Sequence, residues 1–188
     1  MTEEKLTPAE RRRLLQVARQ TIAQQLTQGR FEQVEADSPG LSRPGGAFVT
    51  LHLQGQLRGC IGTFTSEQPL VYTVQEMAVS AAQRDPRFPP LRPEELDAVD
   101  LEISVLSPLR QIDDPQLVEV GRHGIYITRG FHSGVLLPQV ATEYGWDRET
   151  FLDHTCLKAG LPPGCWREAG TRIEVFEAEV FGEKDDND

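Results

Sequence analysis

A chain of 188 residues is long enough for one large domain or for two small lobes that share a core. Its 29 acidic and 19 basic residues leave a formal charge of −10, which argues against general binding to nucleic acid and against docking on anionic membranes. No stretch approaches the roughly 20 apolar residues of a membrane span, and the N-terminus lacks the apolar core of a signal peptide. These features predict a cytoplasmic protein with no membrane partner.

The first predicted element is a helix. Thr7 can cap it, Pro8 suits the first helical position, and Glu10 can complete a capping box. Apolar residues then recur every four positions until Gly29, which can end the helix. The three arginines at positions 11–13 are interpreted as a solvated helix face, because the chain as a whole is acidic.

Two strands, "AFVTLHL" and "LRGCIGTF", follow a loop and predict a β-hairpin around "QGQ". A three-residue loop pairs Leu53 with Leu57 and Val49 with Ile61, which gathers the apolar side chains on one face. A two-residue loop would instead mix apolar and polar residues on both faces. We therefore predict the three-residue loop.

The other face of this hairpin carries the residues that could take part in catalysis. In the preferred register Thr50 lies opposite Cys60, and His52 lies opposite Arg58. The Arg58 guanidinium, two residues before Cys60 on the same strand, would favour the thiolate form of Cys60. His52 lies diagonally across from Cys60 and could act as a base. The glycines on either side of Cys60 leave room for a ligand. The alternative is that Cys60 is a small packed residue, since cysteine is among the most buried residue types.

A second helix, "PLVYTVQEMAVSAAQR", ends at the stiff charged segment "RDPRFPPL". Asp85 and Arg87 in this segment can position a carboxylate and a guanidinium around an anionic ligand. The simpler interpretation is a salt bridge that braces the end of the helix.

The rest of the chain predicts a strand "VDLEISVLSP", a hairpin around "GFHSG", a third helix "WDRETFLDHTCLKAGL" and a last strand "RIEVFEAEVF". The apolar phase of the last strand slips between Val175 and Phe176, which leaves open a bulge or burial on both faces. This order predicts an α+β fold, a mostly antiparallel sheet with packed helices. Nucleotide-binding glycine motifs are absent from the sequence.

Candidate ligands for a metal are scattered along the chain. His123, His132 and His154 lack the helical spacing of a metal pair, so we predict no metal site and no resident cofactor.

In "LLPQVATEYGWD", Gln139 and Glu143 share a face if the segment is helical, and a plain strand-to-helix connection is the alternative.

The three cysteines give a prediction about redox state. Cys60, Cys156 and Cys165 are odd in number and show no CxxC spacing. This pattern argues against a disulfide framework and against a cysteine zinc site. We therefore predict reduced thiols.

Six blocks in order closely resemble the AMMECR-domain family, which is also known as AmmeMemoRadiSam system protein A. They are "GAFVTLHLQGQLRGCIGTF", "AAQRDPRFPPL", "LEISVLSPL", "GRHGIYI", "LLPQVATEYGWD" and "FLDHTCLKAGL", and "LRGCIG" is the hallmark of the family. The resemblance runs from about residue 6 to residue 181. Arg122 stands where the family commonly has lysine in "GKHG".

The resemblance implies one domain over residues 1–182 with a larger and a smaller lobe that share a cleft, and we expect residues 183–188 to form a disordered acidic tail. It also implies a Memo-type protein and a radical-SAM enzyme as partners, but it implies no particular reaction. Carried over residue by residue, the hallmark covers residues 57–62 and the second block covers residues 85–88. Both are expected near the cleft.

Two hypotheses follow. In the first, the chain is an enzyme or a catalytic component that acts on a small or modified substrate, with Cys60 as nucleophile, Arg58 beside the thiolate, and His52 or His123 moving the proton. The substrate-binding residues would then be Gly59, Gly62, Asp85, Arg87, Gln139 and Glu143. In the second, the chain is a binding or adaptor module that presents a small molecule or peptide to its partners, and Cys60 is structural.

Overall fold

The computed structural model describes residues 5–185, which divide into two compact units. The first unit holds the described chain up to Leu106 and again from Glu179, and the second unit is Ser107–Ala178. Both units combine helices with antiparallel strands, which confirms the predicted α+β class. None of the helices in residues 5–185 is long and apolar enough to span a bilayer.

The first unit packs helices on an antiparallel sheet. Its elements are α1 (Pro8–Gln28), α2 (Pro39–Ser42), β1 (Ala47–Leu53), β2 (Gln56–Thr63), α3 (Leu70–Gln83) and β3 (Val99–Leu106). The strand order is β2-β1-β3, so β2 lies at an edge. Apolar residues of α1, α3 and the inner sheet face form one core. A short 3₁₀ helix, Pro93–Ala98, precedes β3.

The predicted capping box at the start of α1 is present. Thr7 Oγ1 accepts from the Glu10 backbone N–H, and the Glu10 carboxylate accepts from the Thr7 backbone N–H. The same carboxylate also accepts from the Ser38 hydroxyl at 2.7 Å and from the Gly40 N–H at 2.8 Å. Burial alone would raise the pKa of Glu10, but these hydrogen bonds outweigh it and lower the pKa to about 2.

We therefore expect Glu10→Gln to lower the free energy of unfolding at pH 7 by about 1 kcal/mol, the usual scale of a helix cap. Because the pKa is lowered on folding, the ionised carboxylate stabilises the fold above its unfolded pKa, and this contribution is lost as pH falls from 4.5 towards 2. Urea unfolding of the wild type and the variant across that range measures the difference. A difference that stays constant between pH 7 and pH 2.5 contradicts the assignment.

The β1–β2 hairpin was predicted correctly in its inner half and wrongly near the turn. Thr50 lies opposite Cys60 and Val49 opposite Ile61, as expected. The loop, however, has two residues, Gln54 (φ 53°) and Gly55 (φ 78°), whose positive φ values match a type I′ turn.

The inner half of the hairpin keeps the predicted register because β2, and not the loop, contains one extra residue. His52 pairs with Leu57 and Leu51 with Gly59, so Arg58 is an extra residue that forms a β-bulge. The predicted pairs of Leu53 with Leu57 and of His52 with Arg58 are therefore wrong.

The second unit is a smaller antiparallel assembly with its own core. Its elements are β4 (Arg110–Ile112), β5 (His123–Arg129), β6 (His132–Leu136), α4 (Pro138–Tyr144), α5 (Arg148–Lys158) and most of β7 (Arg172–Gly182). β7 pairs with β4 and β5, and β5 pairs with β6. "LLPQVATEYGWD" is therefore largely helical, so Gln139 and Glu143 do share a helix.

The phase slip in the last strand reflects burial on both faces. Val175 and Phe176 are 1% and 2% exposed, and the pairing with β5 continues through both without interruption. Phe176 fits because its partner is Gly124, where a Cβ would lie 2.2 Å from the phenylalanine ring.

The prediction that all three cysteines are reduced is wrong. Cys156 on α5 and Cys165 in a following 3₁₀ turn form a disulfide, and both side chains are completely buried in the second core. Cys60 is the free cysteine. The two cysteines are nine residues apart and meet because the chain turns back after α5.

The acidic segment after β7 has contacts at its beginning. Glu183 pairs with Arg19, Lys184 pairs with Asp100, and Asp185 accepts from the Gly182 backbone N–H. The remainder of the expected disordered tail, 186–188, lies outside the described residues.

Candidate functional site

The hallmark segment is the edge strand of the first unit, and helix α3 covers one of its faces. Gly59 lies on that face, where an added Cβ would lie 2.3 Å from the Ala81 carbonyl oxygen. Gly62 lies on the other face, where a Cβ would lie 2.2 Å from the Phe48 ring. The expectation that these glycines leave room for a ligand is therefore wrong, because protein atoms fill both spaces.

We expect Gly59→Ala to destabilise the fold by about 1–3 kcal/mol, because backbone of α3 must move to admit a methyl group. Gly45→Ala is the matched control: its Cβ would meet no atom closer than 3.8 Å, and its effect should stay within about 0.5 kcal/mol. Urea denaturation gives both values. Equal stabilities for the two variants would show that α3 does not press on Gly59.

Alternation along β2 turns the Cys60 side chain away from α3, and the main-chain N–H and C=O of Cys60 face the edge of the sheet that has no further strand in the described chain. In an antiparallel pair whose residues do not exchange hydrogen bonds, the N–H and C=O groups point outward and the side chains lie close together. Thr50 and Cys60 are such a pair, since the Cys60 N–H donates outward to Asp85 Oδ2 at 2.9 Å.

Asp85 and Arg87 make hydrogen bonds to the backbone of β2 at its free edge, as a neighbouring strand would. Asp85 accepts from the Cys60 N–H, and Arg87 Nη2 donates to the Cys60 carbonyl oxygen at 3.3 Å. The two side chains are joined to each other by hydrogen bonds from Arg87 Nε (3.0 Å) and Nη2 (2.7 Å). We call this arrangement the edge clamp; it satisfies backbone groups that an open sheet edge would leave unpaired.

The charges of the edge clamp stabilise each other. The hydrogen bonds from Arg87 hold the pKa of Asp85 well below its usual range, although burial opposes this, and the N–H of Cys60 adds to the effect. The same contact raises the pKa of Arg87. The Asp85 side chain is 2% exposed and that of Arg87 is 55% exposed, so a buried anion is neutralised by a cation that reaches solvent.

Cys60 as a residue is half-buried, and its sulfur accepts one hydrogen bond from within residues 5–185. Thr50 Oγ1 donates to Cys60 Sγ at 3.1 Å. The Arg87 guanidinium contacts the same residue, since its Nη2 donates to the Cys60 carbonyl oxygen at 3.3 Å. Cys60 is therefore held by hydrogen bonds at its backbone N–H, its carbonyl oxygen and its sulfur.

Arg58 does not take the role that was predicted for it. Its guanidinium donates from Nε and Nη2 to the Glu95 carboxylate (3.1 and 3.0 Å) and from Nη1 to the Pro89 carbonyl oxygen. These bonds from Arg58 lower the pKa of Glu95. The bulge turns Arg58 towards this pairing, and the side chain braces the segment that follows the edge clamp.

The predicted histidine base is not supported by a contact. No hydrogen bond joins His52 to Cys60 in the described chain, and the cross-strand neighbours of His52 are Leu57 and Asp100. His123 belongs to the second unit, where burial lowers its pKa and its Nδ1 accepts the Glu119 N–H.

The other predicted ligand residues also belong to the second unit. Gln139 and Glu143 are exposed on α4. No group of three or more metal-ligating side chains occurs within residues 5–185.

Two contributors were missed by the sequence analysis. Thr50 was placed opposite Cys60 but given no role, although a hydroxyl on a neighbouring strand is a plausible donor. Glu95 was not considered, and it lies 37 residues from its partner Arg58, so no local pattern connects the two.

Comparison with known proteins supports the predicted resemblance. The AMMECR1 family model matches residues 15–181. A protein of Methanothermobacter thermautotrophicus is 46% identical over 185 residues, which cover 95% of this chain and 96% of that protein. Protein MK0488 of Methanopyrus kandleri is 45% identical and covers 97% and 92% of the two chains.

A solved structure is similar over almost the whole chain. The crystal structure of the uncharacterized protein PH0010 from Pyrococcus horikoshii matches with a TM-score of 0.79 at 43% identity, over 91% of this chain and 90% of that one. Family model, sequence relatives and fold therefore agree. The chain belongs to the AMMECR1 family.

Proposed function

We propose that the chain acts on a small electrophilic substrate through the Cys60 thiol. The observation that carries this proposal is the donation from Thr50 Oγ1 to Cys60 Sγ at 3.1 Å, at a partly exposed position whose backbone is held by the edge clamp. A nucleophile held in a fixed orientation loses little freedom when it reacts, which is a general source of rate acceleration.

In this proposal each neighbouring group has a defined task. Sγ supplies the electron pair of the new bond to an electrophilic carbon, the pair of the broken bond departs with the leaving group, and the thiol proton passes to water. Thr50 stabilises the charge on sulfur. Arg87 binds an anionic group of the substrate through Nη1, which makes no hydrogen bond to the described residues.

A second candidate is a binding or adaptor module, and one observation favours it. Gly59, Gly62, Arg58 and Asp85 each have a packing or pairing partner that explains them without a substrate. In either case the partners that we propose, from the family resemblance, are a Memo-type protein and a radical-SAM enzyme, with a cleft as the place of binding.

The test is trapping of a substrate on the native protein. The chain is incubated with the low-molecular-weight fraction of a cell extract, and its intact mass is measured before and after. We expect a mass increase that maps to Cys60 and that is absent from Cys60→Ala and from the chemically unfolded chain.

The absence of any such adduct on the native chain would contradict the catalytic proposal, as would equal labelling of the unfolded chain. Binding of Cys60→Ala to the two proposed partners then separates the alternatives. Unchanged binding and unchanged pathway output in Cys60→Ala would favour the adaptor module.

A further inference from the structure

An open cavity of about 280 Å³ in the first unit is unrelated to Cys60. One stripe of α1 and the residue after β7 line it: Arg12, Leu15, Gln16, Arg19, Gln20 and Glu183. Its volume is near the lower limit of small-ligand sites, which suits a short segment of chain or a small polar molecule. It also contains one of the three arginines that were interpreted as a solvated face.

The inner wall of the cavity is fixed by hydrogen bonds. Arg19 donates from Nε and Nη2 to the Glu183 carboxylate (2.6 and 2.7 Å), and also to the carbonyl oxygens of Leu96 and Val99. Glu183 also accepts the Leu101 N–H at 2.8 Å. The bonds to Glu183 raise the pKa of Arg19. These two side chains therefore stay in place, and the acidic wall is already neutralised.

The floor and the rim have different chemistry. Leu15 is 5% exposed and provides an apolar floor. Arg12, Gln16 and Gln20 are exposed at the rim, and none of their side chains makes a hydrogen bond or an ion pair to another residue of the described chain. By contrast, the neighbouring Arg11 is paired with Glu179. The rim therefore offers one cation and two primary amides to a ligand.

We propose that this cavity binds a short acidic peptide segment of a partner protein. A carboxylate of the peptide pairs with Arg12, the amides of Gln16 and Gln20 pair with its backbone, and an aliphatic side chain covers Leu15. Arg12 and Gln20 are eight residues apart, about 12 Å along a helix, which three or four extended residues span at roughly 3.3 Å each.

The small number of cations at the rim favours an acidic peptide over a nucleic acid. The rim has one guanidinium on a chain of net charge −10, whereas a polyphosphate needs a row of cations. A peptide needs few charges, and the two amides complement its backbone. The inference is independent of Cys60 and of the reaction proposed above.

The experiment uses the full chain, isotope-labelled for NMR, titrated at low ionic strength with the acetylated and amidated tetrapeptide Glu-Leu-Glu-Leu. We expect saturable shifts of the α1 amides around residues 12–20, and none with the Gln-Leu-Gln-Leu peptide. Arg12→Glu should weaken binding about tenfold or more, because it replaces a charge-assisted pair by repulsion.

Arg13→Glu is the matched control, since it makes the same charge change one residue away but outside the cavity lining. It should change the affinity by less than about threefold. Equal effects of the two variants, equal binding of the glutamine peptide, or the absence of saturable shifts would each overturn the proposal. Shifts of the same amides by a single-stranded oligonucleotide would overturn it in favour of a phosphate polymer.

Discussion

Replacing Asp85 with alanine is expected to lower the free energy of unfolding by about 3 kcal/mol. The substitution leaves the Cys60 N–H on the sheet edge without an acceptor, removes both bonds to the Arg87 guanidinium, and empties a side-chain site that is 2% exposed. An unsatisfied buried donor costs about 1–3 kcal/mol, and loss of packing adds to that. Urea denaturation monitored by circular dichroism measures the change.

Two variants separate the edge clamp from a general effect of charge. Asp37→Ala removes an exposed aspartate in the same unit and should cost less than about 0.5 kcal/mol. Arg87→Ala should cost about 1–2 kcal/mol, because Asp85 keeps the N–H groups of Cys60 and residue 87. If Asp85→Ala proves no more costly than Asp37→Ala, the edge clamp is not a structural element.

The effect of Asp85 should also depend on pH. Since its folded pKa lies below its unfolded value of about 3.9, the ionised carboxylate stabilises the fold above that value, and the contribution declines as pH falls through the folded pKa. The stability difference between the wild type and Asp85→Asn should therefore be constant from pH 7 to about 5 and smaller at pH 2.

Reduction of the Cys156–Cys165 disulfide is expected to lower the stability of the second unit by about 2–3 kcal/mol. The bond closes a short loop, nine residues in separation, and restricts the unfolded chain accordingly. Hydrogen exchange of amides in residues 107–178, with and without reductant, measures the loss. Both cysteines are fully buried, so reduction should be slow until the unit opens.

A thiol count under denaturing, non-reducing conditions provides the control for the disulfide. One reactive thiol, Cys60, is expected. The Cys60→Ala variant should then show none and should keep the sensitivity to reductant. Three reactive thiols would contradict the disulfide.

The sequence was informative where local rules decide the structure. The capping box at Thr7 and Glu10, the alternation in β3 and the helix in α3 follow from short-range patterns, and the structure confirms them. The hairpin shows the limit of this reasoning. One residue beyond a two-residue loop is needed to keep the apolar side chains of both strands on one face. That residue is Arg58 in the strand, and the loop itself has two residues.

The details of the site depend on contacts between distant residues. Gly59 is small because the Ala81 carbonyl oxygen lies over it, and Arg58 is neutralised by Glu95, which sequence spacing does not reveal. The segment with Asp85 and Arg87 was read as either a ligand site or a brace. It forms a salt bridge, and its bonds go to the backbone of Cys60.

We propose that the edge clamp holds Cys60 where small molecules reach its thiol. The decisive measurement is alkylation of the native chain with iodoacetamide, with the modified peptide followed by mass spectrometry. We expect a single label, on Cys60, that forms in the folded state. It should form more slowly in Thr50→Val, which lacks the donor to Sγ. A Cys60 that is labelled only after the chain has been unfolded would contradict it.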